Sequence, residues 1–281
     1  MSDYIKQHAI NLDYHTGESW IILNEIEQSI KKKIEAVGTP LKDWNISINY
    51  GIKTGLNEAF IISKEKKDEL VKADPKSAEI IRPILRGRDI KRNKIDFQDI
   101  YIINSHNGYI SEDGTKIPPV NINDYPAIKE WLDNGEWNTK PEKGSNYERL
   151  EKRTDQGITP YNLRSLAYMD DFNKPKLVWT PVNSEYRFAY VDEHFFVNNG
   201  VFLITGDSLY TLESFLNSKI FIRYLDILTG YGTYQYGSKK LFENVPIPKN
   251  LPNKQYSDAE IMKIYNFSDS EITFISSGER S

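Results

Sequence analysis

The chain has 281 residues, 36 of them basic and 40 acidic, for a net charge of −4; that length supports one sizeable core, or a main domain with a smaller appendage, and that balance excludes a uniformly basic nucleic-acid coat. Its 39% hydrophobic and 12% aromatic content excludes a disordered chain, and no apolar run approaches the roughly 18 residues that mark a membrane span. With no cysteine and no charged-then-apolar leader, disulfides, thiolate nucleophiles and cysteine-based zinc sites are excluded and a soluble, cytoplasmic protein is expected.

Residues 1–18 show no clear period and are expected to be a lead-in. Ile22, Ile26, Ile30 and Ile34 then recur at four-residue spacing. Glu25 and Glu27 sit early, Lys31, Lys32 and Lys33 late, and Gly38-Thr39-Pro40 follows as a stop. The pattern predicts a helix over 24–37. Residues 44–50 and 58–63 read as short strands on either side of the string Gly51-Ile52-Lys53-Thr54-Gly55-Leu56-Asn57, whose glycines permit a bend with polar side chains at its tip. A helix is predicted over 63–72, and strands over 80–85 and 99–104 flanking a charged connection. Residues 106–119 are polar and turn-rich, ending in Pro118-Pro119. Helices are predicted over 125–132 and 147–153. Strands follow over 175–180, 186–190 and 200–205, rich in β-branched and aromatic residues, with Trp179 expected in the core and Arg187 exposed. Gly206-Asp207-Ser208 is the expected cap signal of a helix from Leu209 to Leu228, broken at Asn217-Ser218 and ended by Gly230. One or two short amphipathic helices, around 261–265 and 270–275, make a tail over 251–281 and leave 19–250 as the main domain. The fold class expected is α+β: a twisted, mixed or antiparallel sheet packed by helices.

Catalytic signatures are missing. Nucleophile-elbow, phosphate-loop and zinc-protease strings do not occur. The histidines His8, His15, His106 and His194 are scattered singly, which suits surface or satisfied core positions better than a metal site. There is no glycine-rich cofactor loop after a strand, and no Asp/Asn-Pro-Pro-aromatic string of an amino-methyltransferase. Glu65-Lys66-Lys67, with Asp43 upstream, matches the Glu-X-Lys fragment of metal-dependent nucleases. Such triplets are common in lysine-rich helices, and a solvated helical face is the better reading.

Charge is unevenly placed. Arg82, Arg86, Arg88, Lys91, Arg92 and Lys94 are opposed within their segment only by Asp89, a local basic stretch that can follow a phosphate backbone even in an acidic protein. A loop with surface ion pairs explains it equally well, and Arg82, directly before Pro83, reads also as an ion-pairing strand residue. A second cluster, Thr229 to Lys240, interleaves glycines with Tyr231, Tyr234 and Tyr236 beside Gln235, Lys239 and Lys240. Tyrosine offers rigid contact, glutamine pairs with adenine, and lysine meets phosphate; the alternative is a loop whose tyrosines pack on the core. A third string, Gly157 to Arg164, sets Tyr161, Asn162 and Arg164 after a proline turn.

These strings, in this order, are recognisable. LKDWNISINYGIKTGLNEAFII (41–62) resembles the opening of the TaqI-like C-terminal specificity domain, the target-recognition part of adenine-specific DNA methyltransferases and fused type IIG restriction–modification enzymes. IIRPILRGRDIKR (80–92), LEKRTDQGITPYNLR (150–164), PKLVWTPV (175–182) and FFVNNGVFLITG (195–206) follow in the family's order. LESFLNSKIFIRYL and LFENVPIPK come next, and the tail AEIMKIYNFSDSEI is similar to the C-terminus of such enzymes.

The resemblance implies sequence-specific recognition of double-stranded DNA, with a target adenine held for flipping into a methyltransferase pocket. It implies contacts by Lys53, Thr54 and Asn57, by Arg86, Arg88, Lys91 and Arg92, by Tyr161, Asn162 and Arg164, and by Tyr234, Gln235, Tyr236, Lys239 and Lys240. The methyltransferase and nuclease domains of full-length relatives have no motif here. They are expected as partners in cis or in trans, whether the chain is an excised fragment or a separate specificity protein. No cofactor or metal is expected in this chain; S-adenosylmethionine and magnesium belong to the missing domains, and no membrane is involved. A metal-dependent nuclease fragment and a protein-interaction module built on the tyrosine loop are the alternatives.

Overall fold

Asn24 opens the first helix, α1 (Glu25–Val37), through a capping box: its side chain accepts the Glu27 N–H at 2.9 Å while the Glu27 carboxylate accepts the Asn24 N–H at 2.9 Å. Two of the otherwise unpaired amides of a helix start are thereby satisfied. Ile30 and Ile34 are buried on one face of α1, as the four-residue stripe predicts. The computed structural model describes residues 23–180, 186–229 and 239–277.

Strands β1 (Thr39–Pro40) and β2 (Ile46–Tyr50) come next. The strand expected over 58–63 is only half extended. Its first part is a helical turn, α2 (Asn57–Phe60), and only β3 (Ile61–Ser63) is a strand. The Thr54 hydroxyl is the cause. It donates to Asn57 Oδ1 at 2.6 Å and accepts the Leu56 N–H at 3.2 Å, a local competition with the extended state that buries Ala59 and Phe60. Ser63 caps α3 (Lys64–Ala73). The charged connection after β4 (Ile81–Leu85) is a tight hairpin of β5 (Ile90–Lys91) and β6 (Lys94–Ile95), turned by Asn93 at φ 58°, before β7 (Ile100–Ile103).

Residues 106–119, which read as turn-rich, form a hairpin of β8 (Asn107–Ile110) and β9 (Lys116–Pro119). Pro118 and Pro119 hide it in the sequence, yet an edge strand tolerates proline. Helices α4 (Pro126–Asn134) and α5 (Asn146–Lys152) match their predicted counterparts. Strands β10 (Lys176–Trp179), β11 (Phe188–Val191), β12 (Phe196–Val197) and β13 (Phe202–Gly206) lead to α6 (Leu209–Leu216) and α7 (Lys219–Thr229), separated where Asn217-Ser218 predicts a break. The chain ends through α8 (Lys239–Glu243), β14 (Pro246–Ile247), α9 (Asp258–Ile264) and α10 (Asp269–Ser277). Ser208 does not cap α6. Its backbone is left-handed at φ 59° and its side chain makes no cap bond. Asn253, far downstream, accepts the N–H groups of Tyr210 and Thr211 at 3.1 and 3.4 Å instead.

The architecture is α+β with open, antiparallel and mixed sheets, and the chain divides into two units. Of the described residues, the first comprises 23–46, Tyr186, 207–229 and 239–277. Helices α1 and α6 to α10 build it, with β1 paired antiparallel to β14. Lys33 reaches Glu271 of α10 at 2.6 Å and Ser29 donates to the same carboxylate at 2.7 Å, so the C-terminal helix is tied to α1.

The second unit comprises Ser47–Thr180 and Arg187–Gly206. Its two four-stranded sheets run β11-β10-β13-β2 and β12-β4-β7-β3. The β4–β12 pair is parallel, and β4–β7, β3–β7, β10–β11 and β10–β13 are antiparallel. Phe60, Ile84, Leu85, Ile102, Ile103 and Phe196 lie in its core. Trp179 is buried as expected, stacked on Phe188 and Phe202 with ring centroids 5.5 and 4.9 Å away, whereas Arg187 is partly buried rather than exposed.

A lysine is among the charges buried inside this unit. Lys176 is 0% exposed, and its ammonium donates to the carbonyls of Asp192 and Phe195 at 3.2 and 3.0 Å. Burial pushes its pKa down from 10.5 to about 8. Below pH 8 both folded and unfolded chains hold this proton; between pH 8 and 10.5 the unfolded chain holds more, so stability rises with pH there, by at most about 1.4 kcal/mol per unit. Urea midpoints of the wild type and Lys176→Met, measured from pH 7 to pH 10, are expected to show the wild type gaining on the variant above pH 8. A constant difference contradicts this.

Candidate nucleic-acid interface

The second unit joins sequence-distant loops through one side chain. Arg153, at the end of α5, is 5% exposed. Its guanidinium donates to the Thr54 carbonyl at 2.6 Å, to those of Asp155 and Pro160 at 2.7 and 3.2 Å, and to that of Asn162. It also lies over the Phe60 ring, 4.5 Å from the centroid, a cation–π contact strengthened by desolvation. Burial lowers the pKa of Arg153 to about 10, so it remains charged at neutral pH. The loop carrying Lys53 and the loop carrying Tyr161 and Arg164 are thus held by a single cation.

Within the first loop, Gly55 adopts φ 68°, a left-handed conformation that suits glycine. Gly51 passes so close to the turn after β12 that a β-carbon there would lie 1.9 Å from the Asn198 carbonyl oxygen. Lys53 and Asn57 are exposed. Thr54 is 3% exposed and is spent on Asn57 and Leu56. A polar cleft of about 340 Å³ opens here, lined by Lys53, Gly55, Asn57, Glu58, Asp155 and Asn199 among others. Its two carboxylates are partly balanced, Glu58 by Arg149 at 3.6 Å and Asp155 by Arg164 at 3.4 Å.

In the basic segment, Asp89 is buried and organises its neighbours. It accepts the Arg86 backbone N–H at 2.8 Å and the Nε and Nη2 groups of the Arg86 guanidinium at 3.1 and 3.2 Å. Arg86 therefore shapes the segment. Arg88 projects, its side chain 72% exposed and 3.9 Å from Asp89; Arg92 is exposed, and Lys91 folds back on the Arg88 carbonyl at 2.9 Å. Arg82 donates to the carbonyls of Ala78 and Ile81, not to an acid. Leu85, at the root of this segment, accepts the Asn198 N–H at 3.0 Å, and so the segment is tied to the turn against which Gly51 packs.

The third string divides in the same manner. Asn162 is 2% exposed and donates to the carbonyls of His106 and Val120 at 3.3 and 2.9 Å. Tyr161 is partly buried and donates to Asp133 at 2.7 Å; burial, reinforced by that bond, raises its pKa to about 12. Arg164 is exposed. Lys239 and Lys240 lie in the first unit, Lys239 being 3.7 Å from Glu243 and Lys240 exposed. Tyr234, Gln235 and Tyr236 lie outside the described residues. Sequence reasoning missed Arg153, Asn107, Asn198 and Asn199. Asn107 clamps the third loop by accepting the Ile158 N–H at 2.7 Å and donating to Ser165 at 2.7 Å.

The remaining chemistry is structural. Among the described residues no group of three His, Asp or Glu side chains has a metal-holding arrangement. Lys67 pairs with Asp68 at 2.7 Å and lies over the Tyr101 ring. His106 is partly buried; its Nδ1 accepts the Gly108 N–H at 3.2 Å and burial lowers its pKa. Among the described residues no helix is long and apolar enough to cross a membrane.

Comparison with known families gives the class. Residues 82–247, more than half of the chain, match the TaqI-like C-terminal specificity domain. The chain belongs to this family. The matched span includes the basic segment, Arg153, the third loop and the Asn198 turn; the first loop precedes it. No curated protein matches the sequence. Among solved structures, the type IIL restriction-modification enzyme MmeI in complex with DNA aligns at TM-score 0.38 and 15% identity, over 86% of this chain and 34% of that one. The type IIG restriction endonuclease BpuSI aligns at TM-score 0.43 and 13% identity, over 86% of this chain and 28% of that one. The chain thus spans about a third or less of the length of these enzymes.

Replacing Arg153 by methionine keeps bulk but removes the guanidinium from four carbonyls, of which Asp155 and Asn162 keep the N–H groups of Arg164 and Gly157, at an expected cost of about 2–4 kcal/mol. Hydrogen exchange at the Leu56 and Gly157 amides should accelerate together in Arg153→Met. Acceleration of one loop without the other would show that the two are held separately.

Proposed function

We propose that this chain recognises a specific sequence in double-stranded DNA as the specificity part of a restriction–modification enzyme. The observation that supports this reading most directly is the tying of three chain-distant loops in one unit, two through Arg153 and the third through the Asn198 turn, in a member of a specificity-domain family. Lys53, Arg88, Arg92 and Arg164 take the role of phosphate partners, since all four are exposed cations. Lys91, Lys239 and Lys240 supply further positive charge, and Tyr234, Gln235 and Tyr236 further contact chemistry. Asn57 lines the cleft, and Tyr161 supplies a further aromatic contact. Arg86, Thr54 and Asn162 act one step back, shaping the loops from which the others reach out.

The net negative charge does not conflict with this role. Affinity for a polyanion depends on local potential within about a Debye length, roughly 8–10 Å at ordinary salt, and Arg88 and Arg92 stand on a segment whose one acid, Asp89, is already paired with Arg86. In the intact enzyme, recognition positions a target adenine so that a methyltransferase domain, in cis or in trans, receives it unstacked. S-adenosylmethionine, and magnesium for any nuclease domain, belong to those partners. The site of action is the cytoplasm.

Counterion release provides the test. Binding of the full chain to duplex DNA, followed by fluorescence anisotropy, should weaken steeply as salt rises. Lys53→Ala, Arg88→Ala and Arg92→Ala should each reduce the slope of log affinity against log salt by about 0.9 without altering the preferred sequence. Salt-independent binding by the unmodified chain would contradict the proposal.

A further inference from the structure

We propose that Asn199 reads a base edge, with adenine as the preferred partner, and so determines part of the sequence preference; this rests on the DNA-recognition reading above. The turn that carries it is rooted on every side. The Asn198 N–H donates to the Leu85 carbonyl at 3.0 Å, and the Val201 N–H closes the turn on the Asn198 carbonyl at 2.9 Å. The Asn198 side chain accepts the Gly200 N–H at 3.2 Å. One asparagine of the pair is therefore consumed in building the turn. The other is exposed at its tip and makes no side-chain hydrogen bond among the described residues.

Its surroundings select the ligand. Asn199 shares the polar cleft with Lys53, Asn57, Glu58 and Asp155. Two carboxylates in the cleft disfavour a phosphate there, whereas exocyclic amino groups of bases are compatible with them; Lys53 supplies the positive charge for the neighbouring backbone. A carboxamide offers one acceptor and one donor side by side, the pattern that matches the N6 amino group and N7 of adenine in the major groove. The basic segment passes beside the same turn, since a β-carbon on Gly87 would lie 3.7 Å from the Gly200 carbonyl. Backbone-holding and base-reading groups thus lie side by side within one unit, and a rigid turn is the support that base readout needs.

Selection of bound sites from a random duplex pool by the full chain, repeated with Asn199→Ala and Asn199→Asp, is the experiment. Asn199→Ala should bind the originally selected site about 5- to 150-fold more weakly and lose preference at one base pair. Its melting temperature and its salt-dependent affinity for unrelated duplex should match the parent. Asn199→Asp, which keeps the acceptor and removes the donor, should shift that position towards cytosine. An unchanged preference at every position in Asn199→Ala, with the parent still selecting a site, would overturn the inference and leave DNA recognition standing. Salt-dependent binding by the parent with no selected site would overturn it while sparing duplex binding. No duplex binding by the parent would remove both.

Discussion

Arg153 keeps its charge where water scarcely reaches it, and the carbonyls of Thr54, Asp155, Pro160 and Asn162 are what make that tolerable. No carboxylate bonds to it among the described residues; the compensation comes from backbone dipoles and the face of Phe60. A carboxylate partner would have satisfied the charge in one place. Carbonyls from separate segments must be brought to it, and bringing them fixes the shape of the loops. The first loop bends at Gly55, the third turns at Pro160, and both meet at the end of α5. The sheets beneath contribute a rigid floor, with Phe60 and Ile84 in the core and β4 carrying the basic segment outward.

A division of labour recurs in four loops of the second unit. In each, one polar side chain bonds the backbone in place while its neighbour is left in solvent. Thr54 serves Lys53 and Asn57, Asp89 and Arg86 serve Arg88, Asn162 serves Arg164, and Asn198 serves Asn199. The arrangement follows from the cost of ordering. A loop that orders only on binding loses affinity to conformational entropy, whereas one already bonded internally does not. Under the proposed function, the hydrogen bonds within the loops therefore contribute to recognition alongside the exposed cations.

Much of this was legible in the sequence wherever periodicity and residue type spoke together. Helix α1 carries an isoleucine stripe with acids early, lysines late and a Gly-Thr-Pro stop, and strands β10, β11 and β13 are dense in aromatic and branched residues. Legibility failed where a distant group decided the outcome. Asn253 caps α6 across a long stretch of chain, and Pro118-Pro119 conceals a hairpin that needs only edge pairing. Thr54 winds the next residues into a turn against their strand-like composition. The candidate site divides likewise. Its loops could be found from glycine spacing and charge, but Thr54 and Asn162 have the same residue types as a DNA contact and are spent inside the protein. Arg153 sits in the run Glu151-Lys152-Arg153, where nothing in composition distinguishes the buried cation from the solvated one beside it.

The grip of Arg153 on main-chain oxygens has a consequence for how such a module diversifies. A carbonyl is the same whatever side chain stands beside it, so the grip itself makes no demand on the side chains at 155 and 160, whereas Thr54 and Asn162 are fixed by the hydrogen bonds their own side chains make. Exposed positions on the same loops are freer still. Under the proposed function, new addresses are then written on these loops by substitution at the exposed tips, with Arg153, Gly51, Thr54, Asn162 and Asn198 held constant as the support.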